Sequence, residues 1–262
     1  MVRANGRGSS PVILADLAFA AGAGLIGGAM NALAGGGTFA TMPTLIALGL
    51  PSPIANATSN VALQPGAMAS AWAYRDGLQP LSGLSIRLLT GITFAGGVAG
   101  SLLLVATPTR VFDVVIPWLL LLATVALAFG KRGAAALADR ISIGPKTLIG
   151  AQALLGIYGG YFGGGVGLMM TATWGLLSGA EPHRLAAPRT LMLATANAAA
   201  TIIFVATGMV RWLLCLPMLA GAVAGGYLGA RLGRVLPPAV IRVWTLLVTA
   251  ITTAVFFWRA YG

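Results

Sequence analysis

Residues 31–38 read Asn31-Ala32-Leu33-Ala34-Gly35-Gly36-Gly37-Thr38, three consecutive glycines inside an otherwise apolar run. Each glycine weakens a helix by about 1 kcal/mol relative to alanine, so the run is expected to break there. In a bilayer such a break is costly, because bare backbone N–H and C=O groups need protein or a water-filled cavity to satisfy them. The feature returns as Gly159-Gly160-Tyr161-Phe162-Gly163-Gly164-Gly165, with the triplets 128 residues apart and Met42 and Met170 keeping that spacing. Paired interruptions predict a polar pocket near the middle of a membrane. Helices beginning at Thr38 and Val166 would turn their positive ends toward it, which suits an anion. The competing reading is close helix packing, the role given to Gly24-x3-Gly28, Gly96-x3-Gly100, Gly221-x3-Gly225 and Gly225-x3-Gly229.

The surroundings are those of a membrane protein. Of 262 residues 58% are hydrophobic and 8% charged, with a mean hydropathy of +0.90. A soluble domain carries about 25% charged residues to wet its surface. Runs such as 114–129, 190–209 and 243–258 approach the ~20 residues a helix needs to cross hydrocarbon. The net charge of +11 comes from basic residues scattered singly at helix ends, which is positive-inside topology and not a nucleic-acid surface. Arg3 and Arg7 before an apolar run resemble a signal peptide, but the run continues into the first triplet and is read as a retained helix. The lone Cys215 is read as a small core residue.

Apolar stretches at 12–34, 38–49, 53–74, 83–105, 110–130, 146–162, 166–178, 184–207, 212–231 and 237–259 give an all-α membrane protein of eight to ten helical segments. The second and seventh are too short to cross, and each follows a triple glycine, so each is read as part of a broken or re-entrant element. The chain divides into a first transmembrane repeat (1–130), a connecting loop (131–146) and a second repeat (147–262). Matches in the same order carry the repeat: the triplets, Ala57-Thr58-Ser59-Asn60 with Ala187-Pro188-Arg189-Thr190, Gly77-Leu78 with Gly208-Met209, and 96–100 with 221–225. An odd number of crossings per half makes the repeats inverted, an arrangement that puts a transporter's site where they meet. Arg75, Arg87, Lys131, Arg132, Arg140, Lys146, Arg184, Arg231 and Arg234 fall on the central-loop side. Arg3, Arg7, Arg110, Arg211 and Arg259 fall opposite. The loop is therefore placed in the cytoplasm and both termini outside.

The candidate substrate-binding residues are Asn31, Gly35, Gly36, Gly37, Thr38, Thr58, Ser59, Asn60, Gln64, Gly163, Gly164, Gly165, Arg189, Thr190 and Asn197. Asn56 and Thr195 are further polar residues in apolar surroundings. An arginine within a span faces a cavity or a partner. Arg189 is therefore either a socket for an anion or an interfacial residue pairing with Glu181. Asp16, Asp76, Asp113, Asp139 and Glu181 all lie near predicted helix ends, which argues against a carboxylate proton relay. His183 reads as a loop residue, and no nucleophile motif, phosphate loop or metal spacing occurs. No enzymatic activity, cofactor or metal is expected. The partners expected are a small anion and membrane lipid, with a homo-oligomer left open.

The first-half run 31–38, followed by Met42-Pro43 and Ala55-Asn56-Ala57-Thr58-Ser59-Asn60, resembles the signature of the TauE/SafE sulfite exporter family, and 159–165 and Gly208 are similar to its later motifs. The resemblance covers nearly the whole chain. It implies a multi-pass permease of the bacterial inner membrane, of about eight helices, for sulfite, sulfonates or related organosulfur anions. Ala187-Pro188-Arg189-Thr190 departs from a second copy of Ala-Thr-Ser-Asn. The readings set against this are a non-transporting membrane subunit and a permease for another small ion.

Overall fold

The computed structural model describes residues 10–137, 144–178 and 184–262. Arg3, Arg7, Asp139, Arg140, Glu181 and His183 lie outside them. The described chain is helical: α1 Ser10–Ala34, α2 Thr38–Ala47, α3 Ser52–Ala73, α4 Ile86–Ala106, α5 Thr109–Leu137, α6 Pro145–Tyr161, α7 Val166–Ser178, α8 Ala186–Ala206, α9 Trp212–Val235 and α10 Pro238–Tyr261. Six of these, namely α1, α4, α5, α8, α9 and α10, hold stretches long and apolar enough to cross a membrane. Their outward faces carry large apolar side chains, including Phe19, Leu103, Leu213 and Ile251. That surface suits lipid and not water. One boundary differs from the reading above. Lys131 and Arg132 continue α5, which runs to Leu137 through Ala134-Ala135-Ala136. Alanine favours helix, and a helix leaving a membrane has no need to end at its first charge.

α3 is the exception among the long helices. Asn56, Thr58, Ser59, Asn60 and Gln64 make it too polar for an ordinary span, yet every residue from Ala55 to Gln64 is buried. It is wrapped by protein. At one end of the bundle Ser52 donates to Asp113 at the start of α5. There also the Tyr161 hydroxyl reaches Thr107 beyond α4, and the Tyr261 hydroxyl bonds Val114 O. These contacts place the starts of α3 and α5 with the ends of α4, α6 and α10. Arg110, Arg211 and Arg259 belong to that end. Arg75, Arg87, Lys146, Arg184 and Arg242 belong to helix ends at the other.

Glycine sets the two tightest helix contacts. A Cβ built on Gly24 or Gly28 of α1 would lie 2.0 Å from Met218 O and 2.1 Å from Ala222 O of α9. On α6, a Cβ on Gly156 or Gly160 would lie 3.0 Å from Thr93 O and 2.0 Å from Gly97 O of α4. From the facing side, Gly221 and Gly225 meet Ala21 O and Leu25 O, while Gly96 and Gly100 meet Ala153 O and Ile157 O. Each α1–α9 approach becomes an α6–α4 approach when α1 numbers rise by 132 and α9 numbers fall by 125. Residue numbers rise together across each contact, so the two helices of each pair run parallel. No glycine in these stripes has room for a larger residue, which is small-residue packing as lipid-embedded helices use it.

Candidate functional site

Both triple glycines end a helix and reverse the chain. α1 stops at Ala34, and α2 turns back along it, with Gly37 against Gly27 O and the Asn31 Cβ. α6 stops at Tyr161, and α7 turns back so that Val166 lies against Gly159 and Trp174 Nε1 donates to Gln152 Oε1 at 3.0 Å. Gly35, Gly163 and Gly165 take φ values of +75°, +75° and +74°. L side chains are strained there, which explains why glycine stands at these three positions. Gly77 and Gly208, matched in sequence, differ: Gly208 has a positive φ and Gly77 sits in a 3-10 turn, Arg75–Gly77.

The two reversals meet. Gly35 lies against Gly167 and Leu193, and Gly165 lies against Phe39. Gly36, Gly37, Thr38, Gly164, Gly165 and Gly167 are buried, and their backbone N–H groups have no acceptor among the described residues. More than nine in ten buried backbone groups are normally paired. Six free donors at one place form a concentrated patch of positive potential at the start of α2 and α7.

Polar side chains converge on the same region from α3 and α8. Asn60 Nδ2 donates to Asn197 Oδ1 at 3.3 Å, and Asn60 Oδ1 accepts from Thr201 at 3.2 Å. Gly163 sits beside both asparagines. Gln64 Nε2 donates to Ala194 O at 3.1 Å. Ser59 shares a hydrogen bond with Thr41, which also donates to Gly37 O. Asn31 is half-buried, and its backbone carbonyl accepts from Gly35 N–H at 2.9 Å.

Two predicted residues have other work. Thr58 accepts Arg211 N–H at 3.1 Å, tying the start of α9 to α3. Thr190 donates to Ala186 O and Ala187 O on its own helix. Arg189 stands in the first turn of α8, half-buried, with its stem against Gly167 and Tyr74 within electrostatic reach. Its guanidinium makes no hydrogen bond or ion pair with a described residue, and the Glu181 pairing considered for it lies outside those residues.

Sequence reading missed Thr41, Thr201, Tyr158 and Thr252. The Tyr158 hydroxyl donates to Gly164 O at 2.8 Å, and Thr252 donates to Phe39 O at 3.1 Å. Both fix backbone at a break. Cys215 is buried with its thiol 3.8 Å from Thr58 O. No group of three His, Cys, Asp or Glu side chains stands together among the described residues. A groove of about 400 Å³ between α1, α9 and α10, lined by residues such as Leu25, Leu33, Leu232 and Trp244, is almost wholly apolar and ill suited to an anion.

Membrane-length helices around a buried centre of unpaired backbone donors and amide side chains define a multi-pass membrane protein with a polar centre. The chain belongs to the sulfite exporter TauE/SafE family, whose model matches residues 20–256. It is 30% identical over 255 residues to an Escherichia coli K12 protein named "Probable membrane transporter protein YfcA", covering 97% of this chain and 93% of that one. A Haemophilus influenzae protein named "Probable membrane transporter protein" is 28% identical over 233 residues, 88% of this chain and 90% of that one. A third relative, "Probable membrane transporter protein ORF9" of a Sinorhizobium species, is 29% identical over 224 residues, 82% of each chain. No solved structure gives a significant match. Family and fold together make the protein a membrane transporter.

Proposed function

We propose that this transporter is a permease that exports a small anion, sulfite or a sulfonate, across the bacterial inner membrane without covalent chemistry. One observation carries the reading: six buried N–H groups, without an acceptor among the described residues, where the two helix reversals meet. Such an array neutralises an oxyanion without committing a buried cation, and it leaves the empty centre paying several kcal/mol for each unsatisfied group. Asn197 Nδ2, which has no acceptor among the described residues, adds a donor on the amide whose oxygen faces Gly163. Arg189 would receive the anion between the donors and the end of the bundle that bears Arg75 and Arg184. The shared glycine register of α1–α9 and α6–α4 supports two inverted repeats. The end richer in arginine and lysine is then the cytoplasmic one.

Export of a monovalent anion needs no second ion. An interior at −100 mV favours exit by about 2.3 kcal/mol per charge. Asp16, Asp76 and Asp113 stand near helix ends, away from the meeting reversals, so no described carboxylate supplies a central proton relay. In proteoliposomes with clamped potential, sulfite flux is expected to rise with inside-negative voltage on the efflux side. Flux indifferent to voltage would contradict electrogenic export, and no flux at all would favour a non-transporting subunit.

A further inference from the structure

The anion reading leaves two buried acceptors unused, one on Gln64 and one on Asn56. Gln64 is 5% exposed, its Nε2 donates to Ala194 O, and its Oε1 has no donor. Turning the amide over would set Oε1 against the Ala194 carbonyl, so this bond fixes the oxygen as the free atom. The residues beside it and beside its partner pack against both reversals. Leu63 lies against Gly37, and Leu193, adjacent to Ala194, lies against Gly35 and Gly167. Asn56, two helical turns earlier, repeats the pattern, with Nδ2 donating to Tyr161 O at 3.1 Å and Oδ1 unpaired. Asn56, Asn60 and Gln64 fall at four-residue intervals, one stripe of α3 about 12 Å long. A buried acceptor left unpaired costs about as much as a lost hydrogen bond or more, and native proteins retain few.

A bare oxyanion cannot satisfy an amide oxygen; the two repel. A cation could, but the free N–H groups alongside would repel the cation. What fits both is a molecule with anionic oxygens at one end and a donor at the other. We propose that the substrate is an oxyanion carrying its own O–H or N–H group, and that Gln64 Oε1 accepts that hydrogen while the N–H groups of the reversals hold the charge. This rests on the anion reading above and makes Gln64 the residue that sets specificity within it. A site built to bond a hydroxyl rejects the analogue that lacks it, because its own acceptor is then left unpaired.

The test is equilibrium binding of 2-hydroxyethanesulfonate and 1-propanesulfonate to the purified full-length protein. The two share charge and differ in one O–H for one methyl. The hydroxy compound is expected to bind about tenfold more tightly or better. Gln64→Met should erase that preference by weakening the hydroxy compound alone. Equal affinities in the wild type overturn the proposal while leaving an anion site in place. Binding of neither sulfonate, nor of sulfite, removes the anion reading and this proposal together. Should Gln64→Met fail to fold, the wild-type pair still decides.

Discussion

In α1, Gly35 follows the packed Gly28 by seven positions; in α6, Gly163 follows the packed Gly160 by three. The helices are held to their partners in one register, yet the first breaks about one turn later than the second, some 6 Å further along its axis. The shift of 132 that converts α1 contacts into α6 contacts also converts Gly35 into Gly167, the two residues that touch where the reversals meet. The scaffold is therefore regular up to the centre, and the difference is confined to what fills it. On the α3 side stand three carboxamides; on the α8 side stand Arg189 and Asn197. Strict equivalence would present the same groups twice. The difference lets one centre hold a molecule with two unlike ends.

The comparison breaks first at the scaffold. Gly28→Leu and Gly160→Leu should each abolish monodisperse, folded protein in detergent, because each side chain would start about 2 Å from a backbone oxygen. Gly22→Leu, with nothing within 4 Å, should behave as wild type on the same size-exclusion column. A smaller effect is expected at the reversals. Gly35→Ala and Gly163→Ala force alanine to a φ of +75° at a cost of about 1–2 kcal/mol each. Thermal unfolding should show a drop for both, the larger for Gly163→Ala, whose Cβ would also lie 3.2 Å from Asn60 Nδ2, and an unchanged midpoint in either variant would contradict the strained turns.

The site variants sharpen the difference between halves. Arg189→Gln should lower anion affinity about tenfold or more with little change in melting temperature, since the guanidinium makes no bond within the described protein. Unchanged affinity would remove Arg189 from the site. Thr58→Ala should do the reverse and least: it frees one N–H of α9, costs about 1 kcal/mol of stability, and leaves affinity alone.

Much of this was legible in the sequence because glycine and hydropathy act locally. The short α2 and α7 and their starts at Thr38 and Val166 follow from triplets that no helix tolerates easily. Asn60, Gln64 and Asn197 stood out because amides in an apolar run need partners. What could not be read were pairings between distant segments. Thr58 and Ser59 look alike in sequence, but one bonds α9 and the other Thr41. Tyr158 and Thr252 are ordinary helix residues until the fold brings them to Gly164 and Phe39. The end of α5 could not be read because a first charge does not end a helix, and α5 runs past Lys131 and Arg132 to Leu137.

The central claim is that the N–H groups of the two reversals form a single anion site, and a selenium-bearing oxyanion tests it most directly. Crystals grown with selenite should show one anomalous peak within hydrogen-bonding distance of the amides of Gly36 to Thr38 and of Gly164 to Gly167. A peak confined to the arginines at the helix ends, with none between the reversals, would contradict the account.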